Sequence, residues 1–187
     1  MKEFLRSIIW RRLDIPGHEW AQASADESES RLYGTAIFVY DGEPCCLEYL
    51  IECDSNGETI TAEVVGEVGD EMIEIEISVD DDHKWTMNGR SIEAVNGCVD
   101  IDLNFSPVTN TLPIRRLDLA VGESREVSAA WLRFPSFALE PFQQTYTRIS
   151  EHTFRYESAN GTFQRDLTVD EHGIVTDYPS LWIEEKG

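Results

Sequence analysis

Lysine is nearly missing from this chain: Lys2, Lys84 and Lys186 are the only three among 15 basic residues, and 36 acidic residues set the formal charge at -21. A field of that sign, at a pI of about 4.3, repels a phosphate backbone or an anionic headgroup, which excludes general nucleic-acid binding. An acid-rich, lysine-poor surface suits concentrated salt, where a Debye length of about 3 Å screens self-repulsion, so a halophilic source is expected. Long apolar runs are missing too. Nothing approaches the roughly 18 residues of a spanning helix, and the stretch from Phe4 to Leu13 is broken by Arg6, Ser7, Arg11 and Arg12. With no transmembrane segment and no secretory signal to read, a cytoplasmic location is the expectation. The cysteines Cys45, Cys46, Cys53 and Cys98 include no CxxC pair. Adjacent strand residues point to opposite faces, so Cys45 and Cys46 neither pair nor chelate one metal together, and reduced thiols are expected.

Catalytic signatures are equally scarce. No G-x-S-x-G elbow, H-E-x-x-H, Walker loop or dinucleotide-binding glycine pattern occurs, and no catalytic residue, metal or cofactor is assigned. His18, His83, His152 and His172 lie beside polar or turn residues and read as solvated loop positions. Asp80, Asp81 and Asp82 lack the alternate-ligand spacing and closing glutamate of a calcium loop and read the same way. Asp100 and Asp102 stand two apart, which suits paired carboxylates in acid–base work and equally suits a solvent-facing strand.

What the chain has in abundance is the two-residue period of strands. Ile73, Ile75, Ile77 and Val79 alternate with Glu74, Glu76 and Ser78, and Val99, Ile101, Leu103 and Phe105 alternate with Asp100, Asp102 and Asn104. Further runs include Leu47, Tyr49 and Ile51; Leu117, Leu119 and Val121; and Val127, Ala129 and Trp131. Asp41-Gly42, Asn56-Gly57, Asn88-Gly89, Asn96-Gly97 and Asn160-Gly161 supply tight-turn dipeptides between runs. The reading is mainly β: one long antiparallel meander of about ten to twelve short strands, curled into a spiral β-roll or incomplete barrel to bury its apolar face, with little helix. The 187 residues fit a single domain, 1–187. Phe4, Leu5, Ile8 and Ile9 have the spacing of an amphipathic helical turn, while Ile8, Trp10 and Arg12 fit an edge strand, the favoured reading; Ala21 to Ser30 is read as a flexible loop, and Phe134-Pro135 through Glu140-Pro141 as a linker bending across the mouth of the sheet.

Seven of the twelve arginines lie between Arg115 and Arg165. Read as strand residues, Arg115 and Arg116 point one guanidinium inward, where it needs a carboxylate or a ligand anion. Arg125, Arg133, Arg148, Arg155 and Arg165, with Trp131, Phe134, Tyr146 and Tyr156, would make an arginine-lined concavity suited to an amphiphile; the same aromatics also suit a plain core.

Asp100-Ile101-Asp102-Leu103, the segment Ser106 to Leu117 with Asn110-Thr111-Leu112-Pro113-Ile114-Arg115-Arg116 at its centre, and Ala129-Ala130-Trp131-Leu132-Arg133-Phe134-Pro135 together resemble the family known as Putative glycolipid-binding. The resemblance runs from Trp10-Arg11-Arg12-Leu13-Asp14 through Gln144-Thr145-Tyr146-Thr147-Arg148, Tyr156 and Asp170 to Val175, and on to Tyr178-Pro179. It departs from the family pattern between Asp54 and Glu63, where Gly57, Glu58 and Thr59 stand in place of a tryptophan and an arginine. The resemblance implies a β-rich roll and noncovalent binding of a glycolipid or other amphiphilic small molecule in the interior of the curled sheet, with no catalytic residues. The candidate ligand-binding residues are Asp102, Asn110, Arg115, Arg116, Gln144, Tyr146 and Arg148, to which the aromatic pattern adds Trp131. Each has a structural alternative: Asn110 capping a turn through its side chain, for example, or Asp102 neutralising an arginine. An enzyme acting on such an amphiphile, and a protein-binding β module without a cavity, are the competing readings.

Overall fold

The computed structural model describes residues 3–186, organised as one 15-stranded sheet; residues 1, 2 and 187 of the expected domain lie outside the described residues. From the middle of the sheet the chain meanders outward through β1 (Glu3–Arg12), β2 (Gly17–Ala25), β3 (Ser30–Tyr40), β4 (Glu43–Cys53), β5 (Thr59–Val68), β6 (Glu71–Val79), β7 (Trp85–Met87) and β8 (Arg90–Ser91). It then crosses to the opposite edge as β9 (Asp100–Leu103), passes through a 3-10 turn (Pro107–Asn110) and α1 (Thr111–Leu117), and re-enters as β10 (Ser124–Arg133). The second meander, β11 (Ala138–Ser150), β12 (Thr153–Ser158), β13 (Phe163–Val169), β14 (Val175–Tyr178) and β15 (Trp182–Glu184), returns until β15 pairs with β1. Strand makes up 61% and helix 9%, so the β class and the open, curled sheet stand as read.

Alternation drives these strands. In β4, Cys45, Leu47, Tyr49, Ile51 and Cys53 are buried while Cys46 and Glu48 are exposed. Asp41-Gly42 and Asn88-Gly89 both adopt positive φ (51° and 87°; 49° and 72°), as tight hairpins require. The curl brings the β9 edge back to β5: Thr59 N donates to Val99 O at 2.9 Å, and Thr59 Oγ1 accepts from Ile101 N at 3.1 Å.

Several local expectations are corrected. The sheet is not wholly antiparallel, because β9 and β10 run parallel, joined by the α1 crossover. Arg115 to Leu117 are helical, and Leu117, Leu119 and Val121 form no strand: Asp118 takes a left-handed conformation (φ 41°, ψ 49°) that ends α1. β1 is an interior strand with neighbours on both sides. The first half of the expected loop, Ala21 to Ala25, is strand β2, since Ala21 and Ala23 face the core, where their small side chains lie beside Gly34 and Leu32 of β3. The proline-rich linker is a hairpin; Pro141 pairs with Ala130 in a part of β11 that β12 does not reach. His18 sits on β2 rather than in a loop.

The centre of the roll is filled. Ten consecutive residues, 105–114, are buried, so the crossover acts as a plug. Trp10, Trp85 and Tyr49 are fully buried around it in one continuous core. Clefts beside this plug are walled in part by its residues. Among the described residues no helix is long and apolar enough to cross a membrane.

Candidate functional site

Strand register assembles an aromatic cleft of about 350 Å³ beside the plug. Asp102 on β9 is the register partner of Trp131 on β10, and the Trp131 indole stacks on Phe142 of β11, with centroids 4.6 Å apart and planes 20° apart. Tyr156, Phe163, Tyr178 and Trp182 bring one ring each from β12, β13, β14 and β15, linked by contacts of 6.0, 6.2 and 5.5 Å. Asn104, Ser106 and Asn110 complete the lining from the plug side. The Trp182 Nε1–H is buried without a partner, a donor left unsatisfied within the protein.

Four of the sequence-nominated residues form one hydrogen-bond chain at this cleft. Asn110 Nδ2 donates to Tyr146 Oη at 2.8 Å, the Tyr146 hydroxyl donates to Gln144 Oε1 at 3.4 Å, and Gln144 Nε2 donates to Asp102 Oδ2 at 2.5 Å. All three bonds point toward the carboxylate, so each polarises the next in the sense that favours its charge. Burial nevertheless pushes the Asp102 carboxyl up to about 6, with Gln144 opposing the shift and the Asp100 charge adding to it. Asp102 is the one carboxylate lining the cleft. Asp100, two residues back, is buried and gripped by Arg116 through Nη2–Oδ2 at 2.5 Å and Nε–Oδ1 at 3.2 Å, so the spacing of the two acids does not deliver two free carboxylates.

A second buried network anchors the plug from below. Tyr49 Oη and Ser106 Oγ both donate to Glu19 Oε1, at 2.6 and 2.5 Å, while Glu19 Oε2 is buried with no partner. Burial raises the Glu19 carboxyl to about 7 against the opposing pull of the Ser106 and Tyr49 bonds and of Arg12. Glu19, on β2, thereby ties β4 to the plug residue that lines the cleft.

The eight nominated residues thus fall into three places. Asp102, Asn110 and Trp131 line the aromatic cleft, with Gln144 and Tyr146 in the hydrogen-bond chain that meets it. Arg115 and Arg148 line a separate polar cleft of about 320 Å³ with His152, His172 and four carboxylates. There Arg148 donates to the carbonyls of Leu119, Ser150 and Glu151, and Arg115 to that of His172, so both bind backbone. Arg116 pairs with Asp100. The structural alternatives change as well: the Asn110 side chain makes no cap bond, and the arginine partner belongs to Asp100 rather than Asp102.

The expected arginine-lined concavity is corrected, because no arginine lines the aromatic cleft. Arg155 pairs with Asp166, Arg125 bonds its neighbour's carbonyl, and Arg133 and Arg165 lie over Trp131 and Phe163 at 5.4 and 4.7 Å. Phe134 instead packs edge-on against Phe38 and Tyr40. Sequence reasoning passed over Asn104, Ser106, Phe142, Phe163 and Trp182. Trp182 carried no local signal, since its position follows from the pairing of β15 with β1 at the other end of the chain.

No curated protein matches the chain. A DUF1089 family protein from Pseudomonas aeruginosa, known from a crystal structure, is 31% identical, with a TM-score of 0.77 over 88% of this chain and 91% of that one. Residues 7–183 match the family described as "Putative glycolipid-binding", and with nearly the whole roll inside that match the chain belongs to this family.

Proposed function

We propose that the chain binds a glycolipid or similar amphiphile noncovalently and holds its sugar ring in the aromatic cleft. The observation that carries this reading is the convergence, in one cleft, of stacked rings with a single carboxylate at the end of a donor chain. Aromatic faces cover the apolar C–H face of a sugar, while Asp102 and the Asn110 amide take its hydroxyls; this is the mostly apolar, sparsely polar lining typical of small-molecule sites. Asp102, Asn110 and Trp131 are the contact residues, and Gln144 and Tyr146 position Asp102. Arg116 fixes Asp100, two residues from Asp102 on the same strand, while Arg115 and Arg148 lie outside the cleft. The reading takes residues 1–187 as one binding unit working in a salt-rich cytoplasm. Delipidated protein is incubated with a lipid extract and examined by native mass spectrometry. The wild type should retain a glycolipid and Trp131→Ala should lose it; retention of no amphiphile by the wild type overturns the proposal.

A further inference from the structure

We infer that the site has a second compartment, an apolar slot beside Arg12 that takes the first carbons of the alkyl or acyl chain attached to the sugar. This deepens the proposed function and rests on it. The slot measures about 250 Å³ and is walled by Ile15, Tyr40, Phe105, Phe134, Leu181 and Trp182. Three residues, Asn104, Leu181 and Trp182, line both it and the aromatic cleft, so the two compartments share a wall. That adjacency points to the occupant: a chain leaving the sugar cleft past Leu181 would meet the slot next.

The chemistry of the slot fits hydrocarbon rather than a second polar group. Phe134 stands edge-on to Tyr40 at 4.9 Å and to Phe105 at 6.5 Å, giving a fixed aromatic wall. The charge in the slot is already matched: Arg12 is bound through Nε and Nη2 by Asp14, at 3.2 and 2.9 Å. Its guanidinium lies over Phe38 and Trp182 at 4.8 and 5.0 Å. A paired, stacked arginine presents its aliphatic stem and calls for no anion. The Trp182 ring that both compartments share also carries a buried Nε1–H without a partner. A slot this small falls below the roughly 300 Å³ at which small-molecule sites begin, so only the proximal part of a chain fits and the remainder stays outside.

The test titrates delipidated full-length protein with glucosides, galactosides and mannosides carrying methyl, butyl, hexyl, octyl and dodecyl chains, each below its micellar concentration. For the sugar that binds, affinity should rise about fourfold per added methylene at first and level off at about eight carbons. Ile15→Ser and Tyr40→Ser, at the loop-side wall of the slot, should flatten the dependence on chain length while leaving the methyl glycoside unchanged. Trp131→Ala should weaken every member. If methyl and octyl glycosides bind wild type equally, or if both slot variants keep the full chain-length dependence, the slot inference is overturned while sugar binding stands. If no glycoside of any length binds, the proposed function falls and the slot with it.

Discussion

Glutamine at position 19 isolates one consequence of the plugged core. Tyr49 and Ser106 both donate to Glu19 Oε1, and Oε2 has no partner. Glu19→Gln therefore keeps an acceptor for both hydroxyls, removes the ability to ionise, and places an amide NH2 where Oε2 has no partner, a cost that does not vary with pH. A carboxyl that titrates at about 7 in the fold, against 4.5 ordinarily, holds its proton more tightly when folded. The sign follows: its stabilising contribution is complete below about pH 4.5 and is lost as pH rises through about 7. At roughly 1.4 kcal/mol for each pH unit separating the two titrations, the loss comes to about 3 kcal/mol. Urea unfolding of wild type and Glu19→Gln in molar KCl should show the difference between them moving in the variant's favour by up to about 3 kcal/mol between about pH 4 and about pH 8. Asp100 and Asp102 are also pushed upward by burial, but both proteins contain them, so the difference curve belongs to Glu19. A difference that does not change with pH would refute the reasoning, because the buried carboxyl would then not change its charge between the two conditions.

Glycoside affinity should depend on pH through Asp102, whose ionised form accepts the sugar hydroxyls: below about 6 it should fall by up to about tenfold per pH unit as the carboxyl protonates, and Asp102→Asn should be weak and flat across the same range in calorimetric titration. Gly34→Ala should cost about 2–3 kcal/mol in urea unfolding, since its Cβ would meet Tyr49 Oη at 2.3 Å and the Trp20 carbonyl oxygen at 2.6 Å; a change under about 1 kcal/mol would show that Tyr49 moves aside freely. Unfolding followed against KCl should show stability rising with salt as the formal charge of -21 is screened, and a protein no less stable in dilute buffer than in molar salt overturns the halophilic expectation.

Much of the fold was legible because its cause is local. Alternation of Ile73, Ile75 and Ile77 with glutamates, and the Asp41-Gly42 and Asn88-Gly89 turns, depend on neighbours in sequence, and they specified a curled β meander. The most specific segment of the family resemblance, Asn110 to Arg116, was legible as a motif but not as a shape. Its helix is held by burial inside the roll, and read in isolation its two arginines passed for strand residues. Small residues misled in the same way, since Ala21 and Ala23 make a strand only because β1 and β3 lie on either side.

Charge and strand period could be read from the chain alone, because they rest on residue chemistry and short spacings; of the residues at the aromatic cleft, Asp102, Asn110, Gln144 and Tyr146 came from the family resemblance and Trp131 from the aromatic pattern. Three-dimensional packing was needed to turn the arginines to backbone carbonyls and carboxylates, to plug the interior, and to make Trp182 a wall shared by two compartments. Those outcomes depend on which segments meet in space, from 16 residues apart for Arg116 and Asp100 to the two ends of the sheet's path for β15 and β1, and the side-chain pattern of any one strand is compatible with many such meetings.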